Sequence, residues 1–113
     1  EIGFSSSITN NKKKILNSNF LILPGVGAFS NAMNLLNNLQ LEECLKEYVI
    51  YKKKMILGIC LGMQIFLTKS YEMGQHYGLN FIEGEVVNMN KFSKNKNVIF
   101  LSKISKLILC IKS

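Results

Sequence analysis

The sequence predicts an α/β fold built on a doubly wound, mostly parallel sheet. Residues 20–23 and 55–59 are continuous apolar runs, typical of strands buried on both faces of a parallel sheet. A stretch with the apolar spacing of a helix follows each run. The order strand, loop, helix, strand, turn, helix predicts that the two strands lie parallel with right-handed crossovers.

The first half of the chain predicts two helices around the first strand. Residues 12–17 favour a short helix that ends near Asn17 and Ser18. The run 20–23 is stopped by Pro24 and Gly25, which begin a tight loop over residues 24–27. We expect Ser30 to be the N-cap of the next helix, because apolar residues recur at helical spacing from position 32 to position 39.

A further helix is predicted from about Leu41, with a Glu42 to Lys46 pair on its polar face. The strand 55–59 leads without a spacer into Cys60 and a helical segment over residues 61–69. Residues 85–89 favour a short strand, and residues 98–113 fit either a helix or a strand pair. We interpret residues 1–90 as a partial domain and residues 91–113 as a divergent tail.

Composition limits the classes of function. Apolar residues make up 48% of the 113 residues, which is enough for one modest core, and no run is long enough to span a membrane. We therefore expect a cytoplasmic protein without a membrane partner. The net charge of +7 comes from lysine alone, and the runs 12–14 and 52–54 lack the arginines and interleaved aromatics of nucleic-acid sites. We interpret these lysines as solvated residues near the ends of helices and strands, and expect no nucleic-acid partner.

The cysteines and the single histidine do not predict a metal site or a disulfide framework. Cys44, Cys60 and Cys110 are an odd number, and their spacing does not match a Cys-x-x-Cys metal pair. Reduced thiols, no metal and no cofactor are the expectation. Cys44 lies in an ordinary helix and Cys110 in the tail, so for both we favour a structural role.

Cys60 differs because it lies between two glycines directly after a buried strand. The motif Gly58-Ile59-Cys60-Leu61-Gly62 has the small-x-nucleophile-x-small pattern of a nucleophile elbow, a sharp turn that lifts a reactive side chain above the sheet. The N-terminus of the following helix favours the thiolate, which is the attacking form. The pattern alone is equally compatible with a small buried cysteine between a strand and a helix.

The loop Pro24-Gly25-Val26-Gly27 is the second candidate element. Its glycines allow backbone N–H groups to point at a developing negative charge. Most Pro-Gly pairs are simple turns, so the motif alone does not indicate an oxyanion site. Its position relative to Cys60 is what supports that role. Both it and Cys60 follow parallel strands, so both are expected at the carboxyl edge of the sheet, where open α/β folds place their sites.

These two segments resemble the signatures of class I glutamine amidotransferases. Residues 20–29 and 57–64 carry the resemblance, which extends over about residues 18–88 and is similar in detail to the glutaminase subunits of imidazole glycerol phosphate synthases. The resemblance implies a flavodoxin-like, three-layer α/β fold that is incomplete here. It also implies hydrolysis of glutamine to glutamate and ammonia, with a cyclase or synthase subunit as heterodimer partner.

The resemblance also implies roles for individual residues. Cys60 would form a glutamyl thioester, and the N–H groups of Val26 and Leu61 would bind the oxyanion, with Gly25 and Gly27 shaping the loop. Gln64 and Glu72 would hold the amino-acid end of glutamine, a sensible task for a carboxylate facing an ammonium group. Without the resemblance, both would be interpreted as surface residues.

One part of the family's catalytic apparatus has no counterpart in these 113 residues. In the family, the histidine base and the glutamate that orients it form a His-x-Glu motif far downstream of the cysteine. His76 lies soon after the elbow and is interpreted as a surface residue. The family's first strand is also missing, and its later Pro-His-x-Gly-Trp segment does not match residues 97–102. Two alternatives therefore stay open: an inactive remnant or binding module that is poorly stable alone, and a paralogue supplying ammonia for sugar modification of surface polysaccharide.

Overall fold

The computed structural model describes residues 5–87, which form short helices and strands in alternation. The helices are α1 (Lys12–Asn17), α2 (Phe29–Asn38), α3 (Glu42–Lys46), which continues into a π-helical turn (Glu47–Tyr51), and α4 (Leu61–Gln64). The strands are β1 (Phe20–Gly25), β2 (Met55–Cys60), β3 (Leu67–Ser70), β4 (His76–Tyr77) and β5 (Ile82–Val86). The predictions for residues 91–113, and for the end of the strand at 88–89, lie outside the described residues.

The strands form two small sheets in which parallel pairing predominates. β1 and β2 pair in parallel, with Phe20 opposite Met55 at one end and Gly25 opposite Cys60 at the other. In the second sheet β3 lies between β4, which is antiparallel to it, and β5, which is parallel. The sequence predicts the strands over residues 20–23 and 55–59 correctly, and both extend by one or two residues toward the loops that follow.

The helix predicted over residues 61–69 is wrong beyond its first turn. α4 ends at Gln64, and residues 67–70 form β3, in which Leu67 pairs with Ile82 and Lys69 with Glu85. Leu61, Ile65 and Phe66 have helical spacing, but all three are buried around a tight turn instead. Strand pairing with β5 therefore overrides the local helical pattern, as is common for short apolar runs.

β1 is not buried on both faces, contrary to the prediction. Its residues alternate between exposed and half-buried, and Phe20 and Ile22 are 47% and 56% exposed. Leu21 and Leu23, on the opposite face, pack against the core. The same prediction is wrong for β2, whose first residue, Met55, is 67% exposed. Period-two alternation follows from the pleat when only one face of a sheet is covered, which is the case among residues 5–87.

The core lies between α2, α3, the π-helical turn and the elbow. Phe29 and Tyr48 are completely buried, and Met33, Leu36 and Leu45 pack around them. Ser30 is not the N-cap of α2, because the helix already begins at Phe29 and its cap, Ala28, makes no side-chain hydrogen bond. Burial of Phe29 thus fixes the start of this helix more strongly than capping chemistry does.

Lys54 departs from the interpretation of the lysine runs as solvated. Its Nζ donates hydrogen bonds to the carbonyl oxygens of Leu16 at 2.6 Å and Ser18 at 2.9 Å, and it lies 5.3 Å from the centre of the Tyr48 ring. The ammonium group therefore satisfies carbonyl groups left free where α1 ends. Its neighbours Lys52 and Lys53 are exposed, as predicted.

We expect Lys54→Met to destabilise the fold by about 1–2 kcal/mol, because the methionine keeps the apolar stem but leaves two carbonyl groups without their charged donor. Urea unfolding followed by circular dichroism measures the loss. Lys53→Met is the matched control, since Lys53 is exposed. Equal midpoints for the two variants would contradict a structural role for Lys54.

Among residues 5–87, no helix is both long and apolar enough to cross a membrane.

Candidate functional site

Cys60 occupies a backbone conformation that is unusual for any residue except glycine. It is the last residue of β2 and the N-cap of α4, with φ 54° and ψ −118°. These angles are those of the first central position of a type II′ turn, where glycine predominates. The reversal between strand and helix leaves Cys60 exposed at the end of the sheet. The predicted nucleophile elbow is therefore present as a backbone geometry.

Two glycines make the elbow sterically possible. A Cβ on Gly58 would lie 2.6 Å from the backbone N and Cα of Met63, and a Cβ on Gly62 would collide with the carbonyl oxygen of Leu23. Both contacts are with backbone atoms, which side-chain rotation cannot relieve. α4 can therefore lie against β1 and β2 only if these two positions lack side chains.

The loop after β1 begins directly beside the thiol. Gly25 is the register partner of Cys60, and a Cβ on Gly25 would lie 2.7 Å from the backbone N of Gly62. Val26 follows and is 94% exposed, and Gly27 has a φ of 95°, which glycine adopts without strain. The predicted juxtaposition of the loop and Cys60 at the carboxyl ends of two parallel strands is thus present.

Leu61 and Gln64 begin and end α4. The side chain of Leu61 is buried, and its N–H belongs to the first turn of the helix, where backbone donors have no intrahelical partner. Gln64 is half-buried and follows Cys60 by four residues, which places it one helical turn away. Because α4 spans only Leu61–Gln64, local N–H groups contribute more to the field at Cys60 than a helix macrodipole does.

Glu72 lies in the turn between β3 and β4, with its side chain exposed. Its backbone N–H donates to Oγ of Ser70 at 3.1 Å, and Ser70 itself is fully buried. The β4 strand contacts α2, which begins just after the Val26 loop, so the second sheet packs beside the elbow. The sequence reasoning missed Ser70, although a serine two residues before Glu72 is a known pattern for a side-chain bond to the backbone.

His76, interpreted from the sequence as a surface residue, lies half-buried in β4. Its Nε2 lies 3.1 Å from the carbonyl oxygen of Met73, so the ring nitrogen donates to an acceptor within its own turn. This bond closes the turn that carries Glu72. Within the described residues, His76 forms no hydrogen bond with Cys60.

The two cysteines of the described part of the chain have opposite surroundings. Cys44 is 6% exposed, and burial, followed by the negative charge of Glu47, raises the pKa of its thiol despite nearby Lys12. Its Sγ lies 3.9 Å from the carbonyl oxygen of Lys12. Cys60 is exposed. No cluster of three histidine, cysteine or acidic side chains suited to a metal ion occurs in residues 5–87.

The fold and the turn at Cys60 together define an α/β protein with a cysteine in the backbone geometry of an elbow between strand and helix. A family model described as glutamine amidotransferase class-I matches residues 1–107, and the chain therefore belongs to this family. Membership confirms both the resemblance of the signature segments and the α/β fold class.

Individual relatives carry more specific names. The chain is 50% identical over 98 residues to imidazole glycerol phosphate synthase subunit HisH 1 of Campylobacter jejuni strain 81-176, an alignment covering 87% of this chain and 47% of that protein. It is 48% identical over 94 residues to the HisH subunit of Carboxydothermus hydrogenoformans, covering 83% and 47%. For the subunit of Wolinella succinogenes the identity is 42% over 91 residues, covering 80% and 44%. The chain spans about half the length of the curated relatives it matches.

Proposed function

We propose that this chain carries the nucleophile and the glutamine-binding residues of a glutaminase that serves imidazole glycerol phosphate synthase. The observation that carries the proposal is the strained backbone of Cys60 beside the Gly25 loop, with φ 54° and direct register pairing. The names of the relatives support the pathway. We also propose a cytoplasmic location, which suits an enzyme of small-molecule synthesis.

The chemistry is acyl transfer through a thioester. The Cys60 sulfur attacks the side-chain amide carbon of glutamine, and the N–H groups of Val26 and Leu61 donate to the oxyanion that forms. The carbon–nitrogen bond then breaks as the nitrogen takes up a proton and leaves as ammonia. Water attacks the resulting thioester, the carbon–sulfur bond breaks, and glutamate is released. In the family, a histidine moves the protons in both steps, and His76 does not match its position.

Substrate recognition falls to Gln64 and Glu72 in this proposal. Glu72 is a solvent-accessible carboxylate that can pair with the α-ammonium group of glutamine, and Gln64 offers amide donors and acceptors one turn from the thiol. Ammonia would pass to a synthase subunit as heterodimer partner. The relatives' names favour this role over an inactive remnant or a paralogue in polysaccharide modification.

Alkylation by a diazo-ketone analogue of glutamine tests the proposal without requiring turnover. The diazo carbon takes up a proton, and the Cys60 sulfur then bonds to it as dinitrogen leaves. We expect saturable labelling of Cys60 at least about 100-fold faster than labelling of Cys44, because Cys44 is buried and its raised pKa keeps it as a thiol. Peptide mapping by mass spectrometry identifies the labelled residue.

Iodoacetamide, which does not resemble glutamine, is the control reagent for exposure alone. L-glutamine should slow both reactions at Cys60, because the bound substrate covers the sulfur, but only the diazo-ketone reaction should saturate with reagent concentration. Labelling that stays linear with reagent concentration, or that favours Cys44 or Cys110, would sink the assignment of Cys60.

A further inference from the structure

We propose that Ser70 is a positioning residue for Glu72, and that its buried hydroxyl sets the affinity of the site for the α-ammonium group of glutamine. This inference rests on the proposed function, because it assigns Ser70 a task only if Glu72 binds substrate.

The first observation is the fixed position of Ser70. It is the last residue of β3 and is 0% exposed, and among residues 5–87 only the aromatic Tyr48 also buries a hydroxyl completely. His76 is its register partner on one side and Val86 on the other. Strand pairing on both sides therefore holds the backbone of Ser70, and its hydroxyl has little freedom to move.

The second observation is that this hydroxyl holds the backbone of an exposed residue. Oγ of Ser70 accepts the N–H of Glu72 at 3.1 Å, and the intervening N–H of Tyr71 donates to the Val86 carbonyl oxygen at 2.9 Å. The side chain of Glu72 is exposed, and no hydrogen bond to that side chain occurs in the described part of the chain. The backbone at Glu72, which Ser70 anchors, therefore fixes the point and the Cα–Cβ direction from which the carboxylate reaches toward a ligand.

The third observation is that the far side of the same turn is also anchored. The His76 ring donates to the Met73 carbonyl oxygen at 3.1 Å, although Met73 is 85% exposed. A turn of solvent-exposed side chains is thus held at both ends by bonds to its backbone. Such prior ordering lowers the entropy that an ion pair with the substrate must offset, which raises affinity.

The test is the concentration dependence of Cys60 alkylation in the full chain. The first probe is the diazo-ketone analogue of glutamine, and the second is the same molecule with hydrogen in place of the α-ammonium group. We expect Ser70→Ala to weaken binding of the first probe about three- to tenfold, the size of one hydrogen bond. The maximal alkylation rate and the binding of the second probe should stay within about twofold.

A double-mutant cycle separates positioning from a general structural role. If Ser70 acts through Glu72, then Ser70→Ala should add no further loss to Glu72→Gln. Thr68→Val is the matched control on the same strand, because Thr68 bonds to the Asn80 side chain and the Gly84 N–H instead. This variant should leave the affinity for both probes unchanged.

Amide hydrogen exchange gives a readout that does not depend on labelling. In Ser70→Ala the Glu72 amide should exchange at least about tenfold faster, while the Tyr71 amide keeps its protection. Unchanged exchange at Glu72, or losses from Ser70→Ala and Glu72→Gln that multiply, would overturn the inference alone. Labelling of wild-type Cys60 that does not saturate would instead overturn the proposed function and this inference together.

Discussion

Replacing Gly62 with alanine is expected to disrupt the elbow and to reduce the labelling of Cys60 by at least about 100-fold. On an exposed helix, the same replacement would stabilise by up to about 1 kcal/mol. Here the new Cβ would collide with the Leu23 carbonyl oxygen and lie 2.8 Å from the carbon that bears it. Because these are backbone atoms of a paired strand, the helix must move instead, at a cost of about 3 kcal/mol or more.

Gly27→Ala is the control for the general cost of adding a methyl group in this region. No atom lies within 4 Å of a Cβ built on Gly27, so only its φ of 95° opposes the change, at about 1–2 kcal/mol. Urea midpoints and Cys60 labelling rates for both variants, compared with wild type, measure the difference. Equal stability of Gly62→Ala and wild type would mean that α4 does not lie against β1 as described.

The 113-residue chain should show almost no glutaminase turnover, at least about a thousandfold below a complete amidotransferase, even when Cys60 is labelled efficiently. Removing one member of a catalytic triad typically leaves only the small acceleration supplied by the oxyanion hole and by binding. The single histidine in the sequence, His76, donates its Nε2 proton to the Met73 carbonyl oxygen. Ammonia release measured with a coupled glutamate dehydrogenase assay tests this expectation.

Titration of Cys60 with the diazo-ketone in the same preparation shows how many sites are correctly formed, so that low turnover is not confused with misfolding. His76→Asn should leave the maximal labelling rate and the residual turnover unchanged within about twofold, although loss of the bond to the Met73 carbonyl oxygen should raise the probe concentration needed for half-maximal labelling. Turnover close to that of a complete enzyme, abolished by His76→Asn, would make His76 the base and refute the present assignment.

The sequence predicts the elbow and its neighbouring loop well because few backbone conformations fit closely spaced glycines at the end of an apolar strand. An apolar strand with one glycine near its end, at position 58, and a second just beyond it, at position 62, leaves room for one tight turn, and the structure has it at Cys60. The parallel pairing of Gly25 with Cys60 follows from the α/β order of segments. These features depend on backbone sterics and connectivity, which short sequence patterns encode directly.

The sequence could not predict features that depend on pairing over longer distances. Residues 67–70 carry no strong preference of their own, and they become a strand because β5 lies beside them. The roles of Lys54 and Ser70 likewise depend on carbonyl and amide groups that folding brings within reach. The choice between Phe29 and Ser30 at the start of α2 was decided by burial of the aromatic ring.

The backbone angles at Cys60 imply a local conflict between reactivity and stability. A non-glycine residue in this region of conformational space costs on the order of 1–3 kcal/mol, which the surrounding packing must offset. A glycine there would make the same turn with less strain, but it would carry no thiol. The residue that would make this turn most stable therefore differs from the residue that supplies a thiol. The packing of the surrounding core offsets the backbone strain that comes with an exposed sulfur atom at this position.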